Sequence, residues 1–279
     1  MATLSVVVIT KNEEANMPEF LDAYSFADEI VVVDEYSEDR TVEICRAAGP
    51  KVKIIQNHKI NLATQWNVAL DAATCDWILE QDADYRPTPE LVTAIKSIVE
   101  ADDPEYDVYY IPRRNIAFGK WIRHCGWYPD LIRPHLFRRG KARFDERKGI
   151  HTKILYEGKA GMINADIIHY CYSSIEQYVD RLNNYTTLDA KDRFAMRHGK
   201  TTFLQILWDP HIPWSAKGAY LKHFVPFSPL MRFLYMYIYK RGFLDGKHGL
   251  LLCTLSAFYE VVVNAKVWLM EMGIGGDKH

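Results

Sequence analysis

The sequence lacks the signatures of several common ligand sites. No G-x-G-x-x-G follows the first apolar stretch, and no G-x-x-x-x-G-K-[ST] occurs anywhere in the 279 residues. A standard dinucleotide-binding fold and a P-loop NTPase are therefore disfavoured. The five cysteines are scattered and include no C-x-x-C pair, so the sequence indicates neither a zinc site nor a disulfide framework.

Long apolar runs are also missing. Arg232 divides the apolar segment 219–241, and Glu260 and Lys266 interrupt the segment 250–272. Without 18 uninterrupted apolar residues, no membrane-spanning helix is expected. The first eight residues contain no basic stretch and no cleavage site, and they are typical of a strand rather than of a signal peptide. We therefore expect a cytoplasmic protein.

The net charge of −2 conceals an uneven distribution along the chain. Residues 1–100 contain 8 basic and 18 acidic side chains, residues 101–200 contain 18 and 13, and residues 201–279 contain 8 and 5. A nucleic-acid partner would need a basic and continuous surface, so the acidic first third argues against one. The basic middle third suits an anionic ligand or surface.

The first hundred residues contain strand patterns and helix patterns in regular alternation. Strands are predicted over residues 4–9, 29–33, 52–56 and 77–80. Helices are predicted between them over residues 17–26, 41–48 and 62–73. This alternation predicts an α/β fold with a mostly parallel sheet flanked by helices.

Polar side chains follow three of the predicted strands. The three clusters are Thr10, Asn12 and Glu14; Asp34, Ser37 and Asp39; and Asp82 with Asp84. Ligands of open α/β sheets bind beyond the carboxyl ends of the strands, so these clusters predict a site at that edge. One residue separates Asp82 from Asp84, so their side chains point the same way on an extended chain. Two carboxylates aligned in this way can hold a hard divalent cation. If this pair stood alone, a solvated acidic strand end would be the better explanation.

Three segments resemble family 2 glycosyltransferases with the GT-A fold in both order and spacing. They are Val-Val-Ile-Thr-Lys-Asn-Glu-Glu at 7–14, Val-Val-Asp-Glu-Tyr-Ser-Glu-Asp-Arg-Thr at 32–41 and Leu-Glu-Gln-Asp-Ala-Asp at 79–84. Gly-Trp-Tyr-Pro-Asp at 126–130, Leu-Phe-Arg-Arg at 136–139, His-Tyr at 169–170 and Gly-Phe-Leu-Asp-Gly at 242–246 resemble the lipopolysaccharide core glucosyltransferase branch of that family.

The resemblance implies a role for each cluster. A nucleotide and donor-sugar site would comprise Thr10, Asn12, Glu14, Asp34, Gln65, Asn67 and Asp82. Asp84 would bind Mg²⁺ or Mn²⁺ at the diphosphate, with Asp82 beside it and His169 as a further metal ligand. A pair on a helix surface explains Gln65 and Asn67 equally well, and a packed side chain is the alternative for His169.

An inverting transferase also needs a base for the acceptor hydroxyl. The branch usually has Val-His-Glu where this chain has Ile150-His151-Thr152, and threonine cannot act as a base near neutral pH. The remaining candidates are His151, Asp130, Asp145 and Glu146. Each of them also has a structural explanation, as a packed histidine or a solvated turn.

Residues 1–172 are expected to form the GT-A domain, and residues 173–279 a helical extension that associates with membranes or forms oligomers. Basic residues stand among the aromatic ones over 217–272, a composition that suits an interfacial helix on an anionic leaflet. The alternative is packing on the core or against a second subunit. Contact with the inner face of the cytoplasmic membrane would bring the protein to a lipid-anchored acceptor.

The expected function is metal-dependent, inverting transfer of a sugar from a nucleotide-diphosphate donor. The resemblance implies a UDP-sugar donor and a lipid-linked or cell-envelope glycan as acceptor, such as a lipopolysaccharide core. One alternative is a sugar nucleotidyltransferase, which would need a glycine-rich loop where residues 10–16 have no glycine. The other is a catalytically silent nucleotide-sugar-binding module, which Thr152 favours.

Overall fold

The structure, a computed structural model, describes residues 2–58, 60–131, 133–146, 153–198 and 228–274. It divides into two compact units. The first unit comprises Met1–Ile116 and Tyr128–Cys171, and the second comprises Ala117–Trp127 and Tyr172–His279. Residues 117–127 therefore belong to the unit that contains the C-terminal helices.

Thirteen described strands and four helices precede the long helix at residue 175. In chain order they are β1 (Leu4–Thr10), α1 (Met17–Ala23), β2 (Glu29–Asp34), α2 (Thr41–Ala47), β3 (Val52–Gln56), α3 (Leu62–Ala72), β4 (Trp77–Glu80), β5 (Tyr85–Pro87), α4 (Pro89–Glu100), β6 (Val108–Tyr110), β7 (Arg113–Ala117), β8 (Lys120–Trp121), β9 (Pro134–Arg138), β10 (Ala142–Phe144), β11 (Ile154–Tyr156), β12 (Ala160–Met162) and β13 (Ile167–Tyr172).

The main sheet has seven strands in the order β12-β6-β9-β4-β1-β2-β3. Strand β1 runs parallel to β2 and β4, whereas β9 runs antiparallel to β4 and β6. From β1 the chain passes to β2 and β3 on one side, then crosses to β4 on the other. The carboxyl ends of β1 and β4 thus flank a topological switch point, where open α/β sheets bind ligands. The predicted α/β fold is confirmed.

Both faces of the sheet are covered. Val6 of β1 packs in a buried cluster with Phe20 of α1, whereas its neighbour Val7 packs in a second cluster with Trp66 of α3. Successive residues of a strand point to opposite faces, so a doubly covered strand is apolar at nearly every position. This burial explains the unbroken Val and Ile runs.

Several elements after residue 84 differ from the predictions. Helix α4 was not predicted, although Thr88 caps it by accepting a hydrogen bond from the Leu91 backbone N–H at 3.3 Å. Strand β6 ends at Tyr110, and a separate strand, β7, begins at Arg113. A proline at position 112 cannot donate to a sheet ladder, which accounts for the interruption.

The described part of the second unit is mainly helical. Its helices are α5 (Ile175–His198), α6 (Ser228–Leu234), a π-helical turn (Tyr235–Tyr239), a 3₁₀ turn (Gly242–Asp245) and α7 (Lys247–Glu271). Ser174 caps α5, since its hydroxyl accepts from the Gln177 backbone N–H at 3.2 Å. Arg193 of α5 and Glu260 of α7 form a buried ion pair at 2.7 Å.

Helix α7 is the one helix in the described ranges that is long and apolar enough to cross a membrane. Its most apolar 18-residue window has a mean hydropathy of 1.5, and 33% of that window is buried within the protein. Core helices of soluble proteins meet the same two criteria, so length and composition are weak evidence for a span. The two charges that interrupt the helix both have partners, because Glu260 pairs with Arg193 and Lys266 donates to the Thr187 hydroxyl at 2.7 Å.

Candidate active site

Thr10 and Asp34 end neighbouring strands at the switch point. They are register partners in the parallel pair of β1 and β2, and the Thr10 hydroxyl donates to Asp34 Oδ1 at 3.0 Å. Asp34 also accepts from the backbone N–H and the hydroxyl of Ser37, at 2.9 and 2.5 Å. Four hydrogen-bonding groups at the edge of the sheet are thus fixed relative to one another by buried contacts.

Asn12 and Glu14 contact the loop that follows β2. The Glu38 backbone N–H donates to Asn12 Oδ1 at 2.9 Å, and the Arg40 backbone N–H donates to Glu14 Oε2 at 3.0 Å. Both side chains are exposed and hold the two loops together. Their predicted place in a nucleotide pocket stays a prediction.

Gln65 and Asn67 of α3 are buried, at 1% and 2% exposure, which rules out a pair on the helix surface. Gln65 Oε1 accepts from Asn57 Nδ2 at 2.8 Å, and Gln65 lines a shallow cavity with Thr10. Asn67 bonds to both backbone groups of Phe144 in β10, at 2.9 and 3.0 Å. Gln65 therefore lies beside the predicted nucleotide pocket, whereas Asn67 joins α3 to β10.

The structure brings the predicted metal ligands Asp84 and His169 together. Asp84 Oδ2 lies 3.5 Å from His169 Nε2, and the Asp84 backbone carbonyl accepts from the Tyr170 N–H at 3.2 Å. The side chains of Asp82 and Asp84 are 34% and 18% exposed. Both carboxylates therefore remain open to a ligand from solution.

These residues fit part of a cation site. Within the described ranges, no three His, Cys, Asp or Glu side chains are grouped so that they could hold a metal ion. A carboxylate oxygen and an imidazole nitrogen are nevertheless both suitable ligands for Mn²⁺, and the carboxylate suits Mg²⁺. A cation bound to Asp84 and His169 would have to take its other ligands from phosphate oxygens or water.

A partly buried arginine that the sequence did not single out lies between Glu80 and Asp82. Arg133 Nη2 donates to Glu80 Oε1 at 2.7 Å and to Asp82 Oδ2 at 3.3 Å, and Arg133 Nε donates to Glu80 Oε2 at 3.2 Å. His135 Nδ1 lies 2.8 Å from the same Glu80 oxygen. The signal in the sequence was Glu80 itself, because a carboxylate that ends an apolar strand needs a cationic partner.

This arrangement shifts two carboxyl groups in opposite directions. Burial alone would raise the pKa of Glu80, but the charge of Arg133 and the hydrogen bond from His135 hold that pKa at about 2. Partial burial raises the pKa of Asp82. The charge of Arg133 opposes this shift, and the charges of Glu80 and Asp84 add to it. Arg133 and His135 together therefore outweigh the effect of burial on Glu80, whereas Asp82 and Asp84 still repel each other. A bound cation would relieve that repulsion.

Asp130, one of the predicted bases, is held by two donors. Asp130 Oδ2 accepts from Arg113 Nη2 at 2.6 Å and from Asn115 Nδ2 at 3.1 Å. Asn115 Oδ1 in turn lies 2.7 Å from His169 Nδ1. Asp130 is thereby connected to the predicted metal ligand through Asn115, another residue that the sequence did not single out.

The other candidate bases lie near the end of β10. Glu146 is exposed and accepts from Asn67 Nδ2 at 2.7 Å. Asp145 is buried, and its backbone N–H donates to the Lys153 carbonyl at 2.8 Å. His151 and Thr152 lie outside the described residues.

Residues 5–168 match the family model for Glycosyl transferase family 2. The lipopolysaccharide core biosynthesis glycosyltransferase LpsC of Rhizobium meliloti is 26% identical over 270 residues, which cover 94% of this chain and 87% of that protein. An uncharacterized glycosyltransferase of Rickettsia typhi is 27% identical over 237 residues, which cover 82% and 80% of the two chains.

A solved structure of similar fold is that of the mannosyltransferase PcManGT from Pyrobaculum calidifontis in complex with GDP-Man and Mn²⁺. Its TM-score is 0.55 at 18% identity, over 96% of this chain and 87% of that one. At this identity the likeness establishes the fold alone. The matched range 5–168 contains the switch point, Asp82 and Asp84. The chain belongs to glycosyl transferase family 2 and is a glycosyltransferase with the GT-A fold.

Proposed function

We propose that this glycosyltransferase moves a sugar from a nucleotide-diphosphate donor, a UDP-sugar, to a lipid-linked or cell-envelope glycan, with inversion and with a divalent metal. The observation that carries the proposal is the pairing of Asp84 with His169 across 3.5 Å, beside Asp82. Asp84 follows β4, whose carboxyl end borders the switch point where an α/β fold binds its ligand, and His169 belongs to β13.

The metal would be Mg²⁺ or Mn²⁺, held by Asp84 and His169. When bound, it would stabilise the negative charge that develops on the leaving diphosphate. Asp82 would contact the donor beside it. The similar mannosyltransferase PcManGT binds GDP-Man with Mn²⁺, which supports a nucleotide donor and a metal here.

Thr10 and Asp34 would bind the nucleoside end of the donor. Their hydroxyl and carboxylate are fixed by the bond of 3.0 Å between them, and Gln65 lines the adjoining cavity. Groups held in advance lose little freedom when a ligand binds. Asn12 and Glu14 would act through the loops that they join.

For the base we retain His151, Glu146 and Asp145, and we assign Asp130 to a positioning role. The oxygen Asp130 Oδ2 already accepts from Arg113 and Asn115, so only Oδ1 could take a proton from an acceptor without displacing one of these donors. Glu146 is the more exposed of the two carboxylates near β10. An exposed carboxylate can reach an acceptor hydroxyl without rearrangement of the fold.

The acceptor is proposed from the relative LpsC, whose name assigns it to lipopolysaccharide core biosynthesis. The described part of the helical unit supports a lipid-anchored acceptor, because Ile238, Tyr239 and Trp268 are 60%, 73% and 58% exposed. Lys240 and Arg241 directly follow Tyr239 in the sequence. A mixture of exposed apolar, aromatic and basic side chains suits the surface of an anionic leaflet. We therefore propose a cytoplasmic enzyme that binds peripherally to the inner face of the membrane. Binding to anionic vesicles would support this, whereas a dimer in light scattering would assign the surface to a second copy of the chain.

The donor and the metal are tested by thermal unfolding with UDP-, GDP- and ADP-sugars, each with and without Mn²⁺. We expect one donor to raise Tm only with the metal, and Asp84→Asn to abolish that rise. Asp71→Asn is the matched control, because Asp71 is exposed on α3 and pairs with Arg143 instead. Stabilisation that does not need the metal, or that survives Asp84→Asn, would contradict the proposal.

Transfer is tested separately from binding, because Thr152 favours a silent binding module as the second candidate. The wild-type chain is incubated with the stabilising donor, Mn²⁺ and a lipid extract of glycan acceptors. Release of nucleoside diphosphate together with a labelled lipid identifies a transferase. Donor-dependent stabilisation without any labelled product would identify a binding module.

A further inference from the structure

We propose that Asn115 is a positioning residue that fixes the tautomer and the orientation of His169, and that Asp130 and Arg113 fix Asn115. The proposal rests on the metal site of the proposed function. It assigns to three residues around that site the task of presenting one particular nitrogen, His169 Nε2, toward Asp84.

The orientation of the Asn115 amide follows from its contact with Asp130. A carboxylate oxygen accepts hydrogen bonds, and Asp130 Oδ2 lies 3.1 Å from Asn115 Nδ2 and 2.6 Å from Arg113 Nη2. Only the NH₂ group of an amide can donate to that oxygen. The amide oxygen of Asn115 must therefore point the other way, toward His169.

The tautomer of His169 follows in the same manner. Asn115 Oδ1 lies 2.7 Å from His169 Nδ1, and an amide oxygen only accepts. The hydrogen must therefore be on Nδ1, which leaves the lone pair of the neutral ring on Nε2. That nitrogen lies 3.5 Å from Asp84 Oδ2, so two electron-rich atoms face each other where the cation is proposed.

The residues that hold the ring are themselves buried on neighbouring strands. Asn115 and Arg113 of β7 are 5% and 6% exposed, and β7 and β5 flank β13, which carries His169. Arg113 also donates to the hydroxyl of Tyr85, whose ring packs edge-on against His169 at 4.9 Å. The imidazole is thus held at one edge by a hydrogen bond and at its side by an aromatic ring. Sites built on strands with such support keep their geometry before the ligand arrives.

Loss of this support should weaken metal binding without removing a ligand. Substitution of groups that orient a metal-bound histidine typically lowers metal affinity about 10–100-fold. We expect a loss in that range for Mn²⁺ binding to the UDP-loaded chain when Asn115 is replaced by leucine. Asp130→Asn should give a smaller loss. The new amide can present its oxygen to Asn115 and keep the native orientation, or present its NH₂ group and allow the wrong one.

The first measurement reads the tautomer in the metal-free chain, by long-range ¹H–¹⁵N NMR of ¹⁵N-histidine-labelled protein. We expect the Nδ1–H form at His169 in the wild type and a mixture of both tautomers in Asn115→Leu. Arg114→Gln is the matched control, since Arg114 precedes Asn115 on β7, points to the other face and pairs with Asp166 at 2.7 Å. Its His169 tautomer should remain that of the wild type.

The second measurement reads coordination, by electron spin-echo spectroscopy of Mn²⁺ bound with UDP to the ¹⁵N-histidine-labelled chain. We expect a histidine nitrogen coupling in the wild type and in Arg114→Gln, and its loss or weakening in Asn115→Leu. The double variant Asn115→Asp with Asp130→Asn exchanges amide and carboxylate while it keeps an acceptor for Nδ1–H. It should restore the tautomer and most of the affinity.

The two measurements separate the failure of this inference from the failure of the proposed function. An unchanged tautomer and unchanged Mn²⁺ affinity in Asn115→Leu would overturn the positioning role. A wild-type chain that binds UDP without any manganese–histidine coupling would overturn the metal site on which it rests. If circular dichroism shows that Asn115→Leu does not fold, Asp130→Asn is compared with the double variant Asn115→Asp with Asp130→Asn. A double variant that restores neither the His169 tautomer nor the Mn²⁺ affinity would contradict the inference.

Discussion

Arg133 donates one hydrogen bond to each oxygen of Glu80, at 2.7 and 3.2 Å, and the glutamate side chain is fully buried. A third bond from the same guanidinium reaches Asp82 at 3.3 Å. Strand β4 therefore ends in a compensated carboxylate, close in sequence to Asp82 and Asp84, which are predicted to bind the donor and the metal. Because Arg133 contacts both Glu80 and Asp82, a change of charge at either carboxylate affects the stability of this edge of the sheet.

The first prediction concerns this ion pair. Arg133→Met leaves Glu80 buried without its cation, and breaking such a pair typically lowers the free energy of unfolding by about 3–5 kcal/mol. Arg133→Lys keeps the charge and should lose clearly less. Urea denaturation measures both. Equal losses for the two variants would instead assign the effect to the packing of the guanidinium over Trp66 and Phe144.

The second prediction is a pH dependence of stability. Glu80 has a pKa of about 2 in the folded chain, below its ordinary value of 4.5. An acid whose folded pKa is lowered contributes stability that is complete above its unfolded pKa and is lost as the pH falls through the folded one. We expect a decline in unfolding free energy between these two values that is shallower in Glu80→Gln. Identical slopes for the two chains would contradict the assignment.

The third prediction concerns Asp82, whose side chain is 34% exposed and whose pKa is raised mainly by partial burial. The folded state binds this proton more tightly than the unfolded state, so Asp82 lowers stability at neutral pH and ceases to do so once it is protonated. Asp82→Asn should raise Tm of the ligand-free chain by about 1–3 °C near neutral pH, with no gain in acid. The same variant should reduce stabilisation by donor and Mn²⁺. A lower Tm at neutral pH would show that Arg133 compensates Asp82 as fully as Glu80.

The fourth prediction separates the two residues of α3. Asn67→Leu removes the partners of both backbone groups of Phe144, and leaving buried polar groups unsatisfied costs about 1–3 kcal/mol each. We expect a less stable chain whose donor affinity is unchanged. Gln65→Leu should instead weaken donor binding, because Gln65 lines the cavity beside Thr10. If both variants lower the donor affinity equally, Asn67 would be assigned to the donor site as well.

Local patterns in the sequence locate Thr10, Asp34, Asp82 and Asp84 because each directly follows an apolar strand, and the parallel sheet brings those strand ends to one edge. Arg133 could not be found this way. It reaches Glu80 from 53 residues away, through the antiparallel pairing of β9 with β4, whose register no local pattern specifies.

Asn115 illustrates the same limit. Its position in β7 depends on a strand that the sequence divides at Pro112, and its role depends on contacts with Asp130 and His169 at separations of 15 and 54 residues. The histidine was found because a family resemblance marks it, whereas the residue that orients it carries no such mark. Residues that bind are easier to recognise than residues that position them, because only the former follow from the chemistry of the ligand.

The last prediction concerns helix α7 in the second unit. Glu260, in the middle of this apolar helix, accepts from Arg193 at 2.7 Å and from the more exposed Arg232 at 3.3 Å. A buried carboxylate with two arginine partners is typical of a helix packed within a protein, since charges inside a lipid bilayer are costly. We therefore expect α7 to remain with its unit when the protein binds vesicles.

A double-mutant cycle tests this packing. Arg193→Met should lower the free energy of unfolding by about 3–5 kcal/mol, because Glu260 loses the partner that is buried with it. Arg193→Met combined with Glu260→Leu should recover most of that loss, since replacing a buried pair by apolar residues is often neutral or stabilising. Arg197→Met is the matched control, because its ion pair with Glu271 joins the same two helices at a more exposed position. If Arg193→Met costs no more than Arg197→Met, the Arg193–Glu260 pair does not hold α5 and α7 together, and the assignment of α7 to the packed unit would be wrong.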